Sequence, residues 1–349
     1  GGIAGTIIHA VVGVDIDEFS KNILIKNTKA YQNGKGFKAS KSSNITFDGI
    51  RAYLNGPDNG VGILLGAMPS VANASGNESA CFNCIIQNSF LYENPDIDGS
   101  KNEDGIAIHQ AERCIIRNNT AWDNDDDGFD FTNARGCLIE NNIAFRNANS
   151  GFKPSVWGGG AHIFKDNIAF GNQYGLNDGG GIGDIYVHNT AFNNSFAGLW
   201  TDNSYSAVFI NNIGSQNGVR DVYESHGPYY PTFFSDYNLV ESESNWVVLN
   251  GDGKDQHSVH GVSPMFKDAN ILFNDGGDGI LTPEEAFPEM DGVQGITTND
   301  AILFFESKLG LQKNSPAIDE ATSYVSIRNI MASPEFINNV IANATWCRN

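Results

Sequence analysis

The segments CIIRNNTAWDNDDDGFD (114–130) and CLIENNIAFRNANSGFK (137–153) are two copies of one short pattern. Each copy begins with a β-prone run after Cys114 or Cys137, continues to an aromatic residue followed by any residue and Asn, and ends near Gly-Phe. Self-similarity at such a short period is typical of a solenoid, in which each repeat forms one coil that cannot bury its apolar face alone.

The triplet of an aromatic residue, any residue and Asn extends this pattern over residues 31–217. Ser replaces the aromatic residue in the last triplet, and the Asn residues are Asn33, Asn55, Asn94, Asn124, Asn147, Asn172, Asn194 and Asn217. Their successive spacings are 22, 39, 30, 23, 25, 22 and 23 residues. The skeleton of leucine-rich repeats is missing, whereas short strands joined by Gly and Asn turns indicate an all-β parallel β-helix. We expect the Asn side chains to stack and hydrogen-bond from coil to coil.

The repeat predicts a single domain in two parts. Residues 1–224 are expected to form the β-helix core with the catalytic site, and residues 225–349, where the repeat fades, to form irregular terminal coils and a C-terminal cap. The two longest spacings indicate insertions near residues 56–80 and 95–103. Solenoids carry such insertions on one face, which is often the binding face.

The amino-acid composition of the chain argues against some classes of binding partner. The 349 residues include 21 Lys and Arg against 41 Asp and Glu, a net charge of −20, which argues against a nucleic-acid partner because phosphate binding needs clustered cations. Hydrophobic residues make up 40% of the chain, enough for a packed core, and no apolar run reaches the length of a membrane span. We therefore expect a folded protein with neither a nucleic-acid nor a membrane partner. We also expect it to be a monomer.

Stacking brings together charged residues that lie at equal offsets from the repeated Gly, about 4.8 Å apart along the axis. Asp104 and Asp127 precede this Gly in their repeats, and Asp130 and Lys153 follow it by two residues. With Asp126, the four carboxylates are predicted to converge on one patch, and they cannot all ionise easily unless a cation lies among them. Oxygen ligands of this kind suit Ca²⁺, and the absence of a thiol or His cluster from the predicted patch disfavours zinc.

A Ca²⁺ ion at this patch suggests chemistry on an acidic polysaccharide. The ion would neutralise a uronate carboxylate and acidify the proton on the neighbouring C5 carbon. A cation beside Lys153 disfavours its charged form, so the pKa of Lys153 is expected to fall from about 10.4. Neutral Lys153 would then remove the C5 proton, and the C4–O bond would break by β-elimination.

At this point the sequence resembles a known family. Asn102-Glu103-Asp104-Gly105, Asp125-Asp126-Asp127-Gly128-Phe129-Asp130 and Ser150-Gly151-Phe152-Lys153 are similar to segments of the family 9 polysaccharide lyases. The resemblance implies a right-handed parallel β-helix, a secreted protein and pectate as the default substrate. It also implies a calcium site at Asp104, Asp126, Asp127 and Asp130, with Lys153 as the catalytic base. The motif-bearing match covers about residues 100–180, and Lys153 departs from the expected pattern in being followed by Pro154 and the run Gly158-Gly159-Gly160.

Further residues are candidates for binding. Arg146 and Lys165 are candidates for pairing with substrate carboxylates, and Asn177, stacked above Lys153, for holding a substrate hydroxyl. The loop from Asn274 to Glu285 is similar to an EF-hand and predicts a second, structural Ca²⁺, although Gly276 replaces one ligand. A second Gly-Phe-Lys at residues 36–38 lacks acidic neighbours and is interpreted as an echo of the repeat.

Two alternatives to a lyase stay open. The first is a β-helix hydrolase of the polygalacturonase type, which needs a carboxylic acid and a base on either side of the scissile bond. The Gly-His-Gly and Arg-Ile-Lys elements of those hydrolases are missing from the sequence. The second is a non-catalytic adhesin or carbohydrate-binding β-helix whose Asp cluster only binds Ca²⁺.

Overall fold

The described strands form three parallel sheets, and consecutive strands of the chain pass from one sheet to the next. The computed structural model describes residues 11–16, 18–56, 60–66, 81–97, 99, 101–154, 159–201, 204, 206–223, 234–242, 246–247, 257–288 and 295–315. Sheet A contains β1 (Val12–Ile16), β4 (Lys35–Ala39), β7 (Ile63–Gly66), β10 (Ile106–His109), β13 (Phe129–Asp130), β16 (Ser150–Lys153), β19 (Tyr174–Asp178), β22 (Ala197–Thr201), β25 (Arg220–Tyr223) and β28 (Trp246–Val247).

The other two sheets complete each coil. Sheet B contains β2 (Lys21–Lys26), β5 (Ser43–Asp48), β8 (Ile85–Gln87), β11 (Ile115–Arg117), β14 (Leu138–Glu140), β17 (Ile163–Lys165), β20 (Ile185–Val187), β23 (Val208–Ile210) and β26 (Phe234–Asp236). Sheet C contains β3 (Lys29–Tyr31), β6 (Arg51–Tyr53), β9 (Phe90–Tyr92), β12 (Thr120–Trp122), β15 (Ile143–Phe145), β18 (Ile168–Phe170), β21 (Thr190–Phe192), β24 (Ile213–Ser215), β27 (Leu239–Val240) and β29 (Val259–His260). The predicted all-β parallel β-helix is confirmed.

Two ladders of buried Asn side chains hold neighbouring coils in register. The ladder between sheets C and A is formed by the Asn residues of the repeated triplet: Asn124 Nδ2 donates to Asn147 Oδ1 at 2.8 Å, and Asn147 Nδ2 to Asn172 Oδ1 at 3.0 Å. The second ladder, between sheets B and C, was not predicted. Its members are Asn119, Asn142, Asn167, Asn189, Asn212 and Asn238.

The repeated Gly is required by the close approach of neighbouring coils. A Cβ on Gly151 would lie 2.9 Å from Gly175 O and 2.9 Å from Asn172 Nδ2, with Ala144 Cβ at 3.1 Å. Only a residue without a side chain fits beside the Asn ladder at this distance. The Gly therefore fixes where each strand of sheet A begins, and with it the positions of the charged residues around it.

The aromatic residues of the triplet stack on the outer side of sheet C. Tyr92 and Trp122 stack with ring centroids 4.5 Å apart, and Trp122 and Phe145 with centroids 5.4 Å apart. Residues 261–288 and 295–315, which include helices α1 (Pro283–Ala286) and α2 (Thr298–Leu309), pack on this column. Trp122 Nε1 donates to Leu281 O at 2.8 Å, so this part of the predicted terminal region lies along the side of the solenoid. Among the described residues, no helix is long and apolar enough to cross a membrane.

A buried pair of carboxyl groups occupies the turn between sheets A and B. Asp178 accepts hydrogen bonds from Gly181 N (2.7 Å) and Tyr186 Oη (2.9 Å), and Asp184 accepts one from His162 N at 2.8 Å. Burial, followed by the charge of Asp178, raises the pKa of Asp184 to about 7. Asp184 is therefore protonated in the folded protein at pH values where the unfolded chain has released that proton.

Replacing a central member of the second ladder tests its contribution to stability. Asn142→Ala removes side-chain hydrogen bonds to Asn167 Oδ1 and Ile116 O and leaves the buried Asn119 amide without its acceptor. We expect the free energy of unfolding, measured by denaturant titration, to fall by about 2–4 kcal/mol. Asn299→Ala, at an exposed position of α2, is the control and should change stability by less than about 0.5 kcal/mol. Equal effects of the two variants would contradict a structural role for the ladder.

The buried carboxyl pair predicts a pH dependence of stability. Between about pH 4 and pH 7, folded Asp184 keeps a proton that the unfolded chain releases, so its contribution to the free energy of unfolding falls as pH rises. Asp184→Asn keeps the acceptor for His162 N and removes this titration. Compared with wild type, the variant should gain stability from pH 5 to pH 8, by about 2–3 kcal/mol at most, because about two pH units of this titration lie above pH 5. A difference between the two proteins that stays constant with pH would contradict the proton on Asp184.

Candidate functional site

The acidic cluster lies where three neighbouring strands of sheet A begin. The register pairs Ala107 with Asp130 and Asp130 with Lys153 across β10, β13 and β16, so these residues form one outward-facing column. Asp104 and Asp127 form a second column beside it. Asp104 Oδ1 accepts from Asp127 N at 3.2 Å, and Asp127 Oδ1 accepts from Ser150 N at 2.8 Å. Each of these carboxylates is thus fixed by the backbone of the next coil.

Lys153 contacts both columns. Its Nζ lies 2.9 Å from Asp127 Oδ2 and 3.3 Å from Asp130 Oδ2, and its side chain is 24% exposed. The two aspartates are buried. Asp130 is held from its other side by Thr132, whose backbone N and Oγ1 donate to Asp130 Oδ1 at 2.9 and 2.8 Å. The ammonium group is therefore positioned by buried acceptors on a side chain that is only partly buried.

The four predicted aspartates are brought together, and they offer oxygen atoms to a cation. Carboxylate oxygens of Asp104, Asp126 and Asp127 lie within 4.8 Å of one another. A ligand atom of His109 meets the same limit with Asp104 and Asp130. The donor set of four carboxylates fits Ca²⁺, which accepts many oxygen ligands in flexible geometry.

Sequence reasoning missed His109. It is buried, and its Nε2 lies 3.3 Å from Asp130 Oδ2. The signal was the strand alternation: Ala107 and His109, two residues apart on β10, point to the same outer face. His109 lies four residues after the repeated Gly105, and this position would have predicted its contact with Asp130.

The electrostatics of the cluster reflect too many carboxylates in a buried space. Burial, reinforced by the charge of Asp127, raises the pKa of Asp126 to about 7. Burial and three neighbouring carboxylates raise the pKa of Asp104 well above its usual range, and burial also raises that of Asp127. Asp130 differs: burial opposes its charge, but Lys153 and His109 together lower its pKa. Without a cation, the cluster holds more negative charge than its surroundings stabilise.

The pKa of Lys153 is raised in the metal-free protein. Burial disfavours the ammonium form, but the charges of Asp130 and Asp127 outweigh that effect. The fall predicted from the sequence therefore requires a cation that neutralises these carboxylates. Without one, Lys153 serves as the counter-ion of the cluster.

The remaining predicted residues divide into two groups. Asn177 is next to Lys153 in sheet A, and its Nδ2 donates to Ser150 Oγ at 3.4 Å. Arg146 pairs with Asp123 at 2.8 Å, and its guanidinium lies over the ring of Phe273 in the segment that covers sheet C. Lys165 is on sheet B and pairs with Asp166 at 2.9 Å. Only Asn177 of these three is brought to the cluster.

The EF-hand-like loop uses its last acidic residue for another purpose. Glu285 Oε2 accepts from Thr282 N at 3.0 Å and from Thr282 Oγ1 at 2.6 Å, which forms the capping box of α1. Asn274 and Asp278 accept hydrogen bonds from backbone N–H groups of their own loop. The second Ca²⁺ near Asn274–Glu285 stays a prediction.

Comparison with known protein families supports the β-helix fold. The family model described as the right-handed beta helix region matches residues 3–192. The chain belongs to this right-handed β-helix family. No curated protein sequence matches the chain significantly.

Among solved structures, this β-helix resembles pectate lyase Pel9A with a TM-score of 0.52 and 16% identity, over 86% of this chain and 72% of that one. The A-module of mannuronan C-5 epimerase AlgE6 from Azotobacter vinelandii is 17% identical, with a TM-score of 0.42 over 66% of this chain. This β-helix spans only 55% of that module's length. At 16% identity, the similarity to pectate lyase Pel9A shows the fold alone.

Asp104→Asn tests the charge balance of the cluster. The variant removes one of four crowded carboxylates but keeps Oδ1 as acceptor for Asp127 N, so without metal we expect stability to rise by about 1–2 kcal/mol. We also expect Ca²⁺ to stabilise the wild type and to stabilise the variant less, because one ligand charge is lost. Thermal unfolding in EDTA and in Ca²⁺ measures both effects. Asp166→Asn, on sheet B, is the control and should leave the calcium-dependent shift unchanged; loss of stability in EDTA for Asp104→Asn would contradict the prediction.

Proposed function

We propose that the protein is a Ca²⁺-dependent polysaccharide lyase that cleaves polygalacturonate or a related uronan by β-elimination. The observation that carries this proposal is the placement of the Lys153 ammonium against Asp127 and Asp130, beside carboxylates that fit a calcium ion. A proton acceptor and a site for a bridging cation are the two groups that elimination next to a carboxylate requires.

The residues divide the chemistry between them. Asp104, Asp126, Asp127 and Asp130 would hold a Ca²⁺ ion, which would supply neutralisation of a substrate carboxylate and so acidify the neighbouring C–H bond. Lys153, in its neutral form after loss of a proton to solvent, would accept the proton from C5. The C5 electron pair forms the C4–C5 double bond, the C4–O bond breaks, and the leaving oxygen takes a proton from water. Asn177, adjacent to Lys153, is placed to hold a substrate hydroxyl.

Other features support the same proposal. All cluster residues come from one chain, which is consistent with action as a monomer. The similarity to a pectate lyase makes pectate the first substrate to test, and an acidic polysaccharide of this kind lies outside the cell, so we propose a secreted protein. Arg146 and Lys165 have other partners and carry no part of the mechanism.

The decisive experiment compares Lys153 with a lysine in the same motif elsewhere. Lys38 follows Gly36-Phe37 on β4 and lies in the same outward column of sheet A, but it pairs only with Asp15 among the described residues, at 3.7 Å. On polygalacturonate with Ca²⁺, wild type and Lys38→Ala should both release unsaturated uronate ends, detected by ultraviolet absorbance. Lys153→Ala should lower this rate by about 10²–10⁴-fold, and EDTA should abolish it.

The pH profile and the product chemistry separate the alternatives. Because Lys153 must be neutral to accept a proton, activity should rise towards alkaline pH; a maximum at acidic pH would count against it as the base. New reducing ends without ultraviolet absorbance would identify a hydrolase instead. Binding of uronans with Ca²⁺, without any bond cleavage, would identify a binding protein. Proton exchange at C5 without cleavage would leave Lys153 as a base but contradict elimination.

A further inference from the structure

Four aromatic side chains form a partly exposed patch on the later strands of sheet A and the turn that leads into β22. They are Tyr174, Phe196, Trp200 and Tyr223. Trp200 is central: its ring lies 4.0 Å from that of Tyr223 and 5.5 Å from that of Phe196, centroid to centroid, and Tyr174 is 6.1 Å away. Large aromatic side chains are usually buried, so an exposed cluster of them indicates a binding surface.

The patch continues both columns of the candidate site. The column of Asp130 and Lys153 runs on through Asn177, Trp200 and Tyr223, each opposite the next in the parallel register. The column of Asp104 and Asp127 continues through Ser150 to Tyr174. Because neighbouring strands lie about 4.8 Å apart, Trp200 is about 10 Å from Lys153 along the solenoid axis.

The column that contains Lys153 is partly exposed towards the C-terminal coils and buried towards the N-terminal coils. In the direction of the N-terminus, the outward-facing Ala107 and Leu64 are buried and pack with Val61. In the direction of the C-terminus, Asn177, Trp200 and Tyr223 are partly exposed. A chain bound at Lys153 therefore has an accessible path only towards β25 within the described part of this column.

We infer that Tyr174, Phe196, Trp200 and Tyr223 form the sugar-binding subsites of the protein, on one side of the bond that is cleaved. The C–H faces of pyranose rings are apolar and pack on aromatic faces, and one coil rises by about the length of one residue of an extended uronan. The polymer would lie along the solenoid axis, with one ring at Lys153 and rings further along the chain stacked on the patch centred on Trp200. This inference rests on the proposed lyase function and adds the position and direction of its substrate.

The experiment measures how Trp200→Ala depends on substrate length. For a long uronan oligosaccharide, kcat/KM should fall by about 10- to 100-fold, because the buried apolar area of a stacked ring is lost. For the shortest cleaved oligosaccharide, which ends before the patch, kcat/KM should stay within about twofold of wild type. Trp200→Phe should retain most of the length dependence. Tyr31→Ala, which removes an exposed stacked ring from sheet C, is the control and should have neither effect.

A binding measurement separates the failure of this inference from failure of the proposed function. In the Lys153→Ala background, affinity electrophoresis on uronan gels should show weaker retention when Trp200→Ala is added. Suppose that wild type cleaves a uronan. If Trp200→Ala then lowers kcat/KM equally for short and long chains, or lowers it for neither, the subsite assignment is wrong but the proposed lyase function is not affected. If wild type neither binds nor cleaves any uronan, both are wrong. Thermal unfolding of each variant shows whether a loss arises from misfolding.

Discussion

The structure depends on the hydrogen bonds that lock each coil onto the next. Asn142 shows how strict this lock is: its side chain donates to Asn167 Oδ1 and to Ile116 O, and accepts from Asn119. Every atom of the buried amide is used, so a coil cannot slide by one residue without leaving polar groups unpaired. Because register is fixed in this way, residues at equal offsets in distant repeats become neighbours.

The candidate site is also held by hydrogen bonds between neighbouring coils, and here charged side chains accept them. Asp104 and Asp127 each accept a backbone N–H of the next coil, whereas the ladder Asn residues accept one of the preceding coil. This contact fixes one oxygen of each carboxylate and leaves the other for a partner, which is Lys153 in the case of Asp127. The cluster is therefore rigid before any cation binds, and its unfavourable charge is the expected property of a site shaped for a ligand rather than for stability.

The accuracy of the sequence predictions follows from this lock. Asp104 and Asp127 share one offset from a Gly whose position is forced by packing, and Asp130 and Lys153 share another. Asp126 precedes Asp127 directly, so the sequence predicts that all five residues lie together. The position of a residue within its repeat does not say which sheet it belongs to unless the turns between the sheets are known. Lys165 and Arg146 were therefore predicted too close to the site. The second Asn ladder lies five residues before the first in each coil. It marks the turn between sheets B and C and could have assigned these residues to their sheets.

The packing of residues 261–288 and 295–315 on sheet C could not have been predicted in this way. The hydrogen bond from Trp122 to Leu281 joins residues 159 positions apart, outside any repeat. Only the apolar character of the stacked aromatic column indicated that something must cover it.

The charge of the chain constrains how an anionic polymer could be held. A protein with a net charge of −20 repels a polyuronate, and screening at physiological salt weakens this repulsion only beyond about 8 Å. Affinity must therefore come from contacts that carry no net charge, together with a cation that reverses the local sign. In the proposed binding mode, stacked aromatic rings such as Trp200 would provide the uncharged contacts, which are insensitive to salt. The carboxylate cluster beside Lys153 would provide the cation site, so the two requirements would be met at neighbouring positions of one column on sheet A.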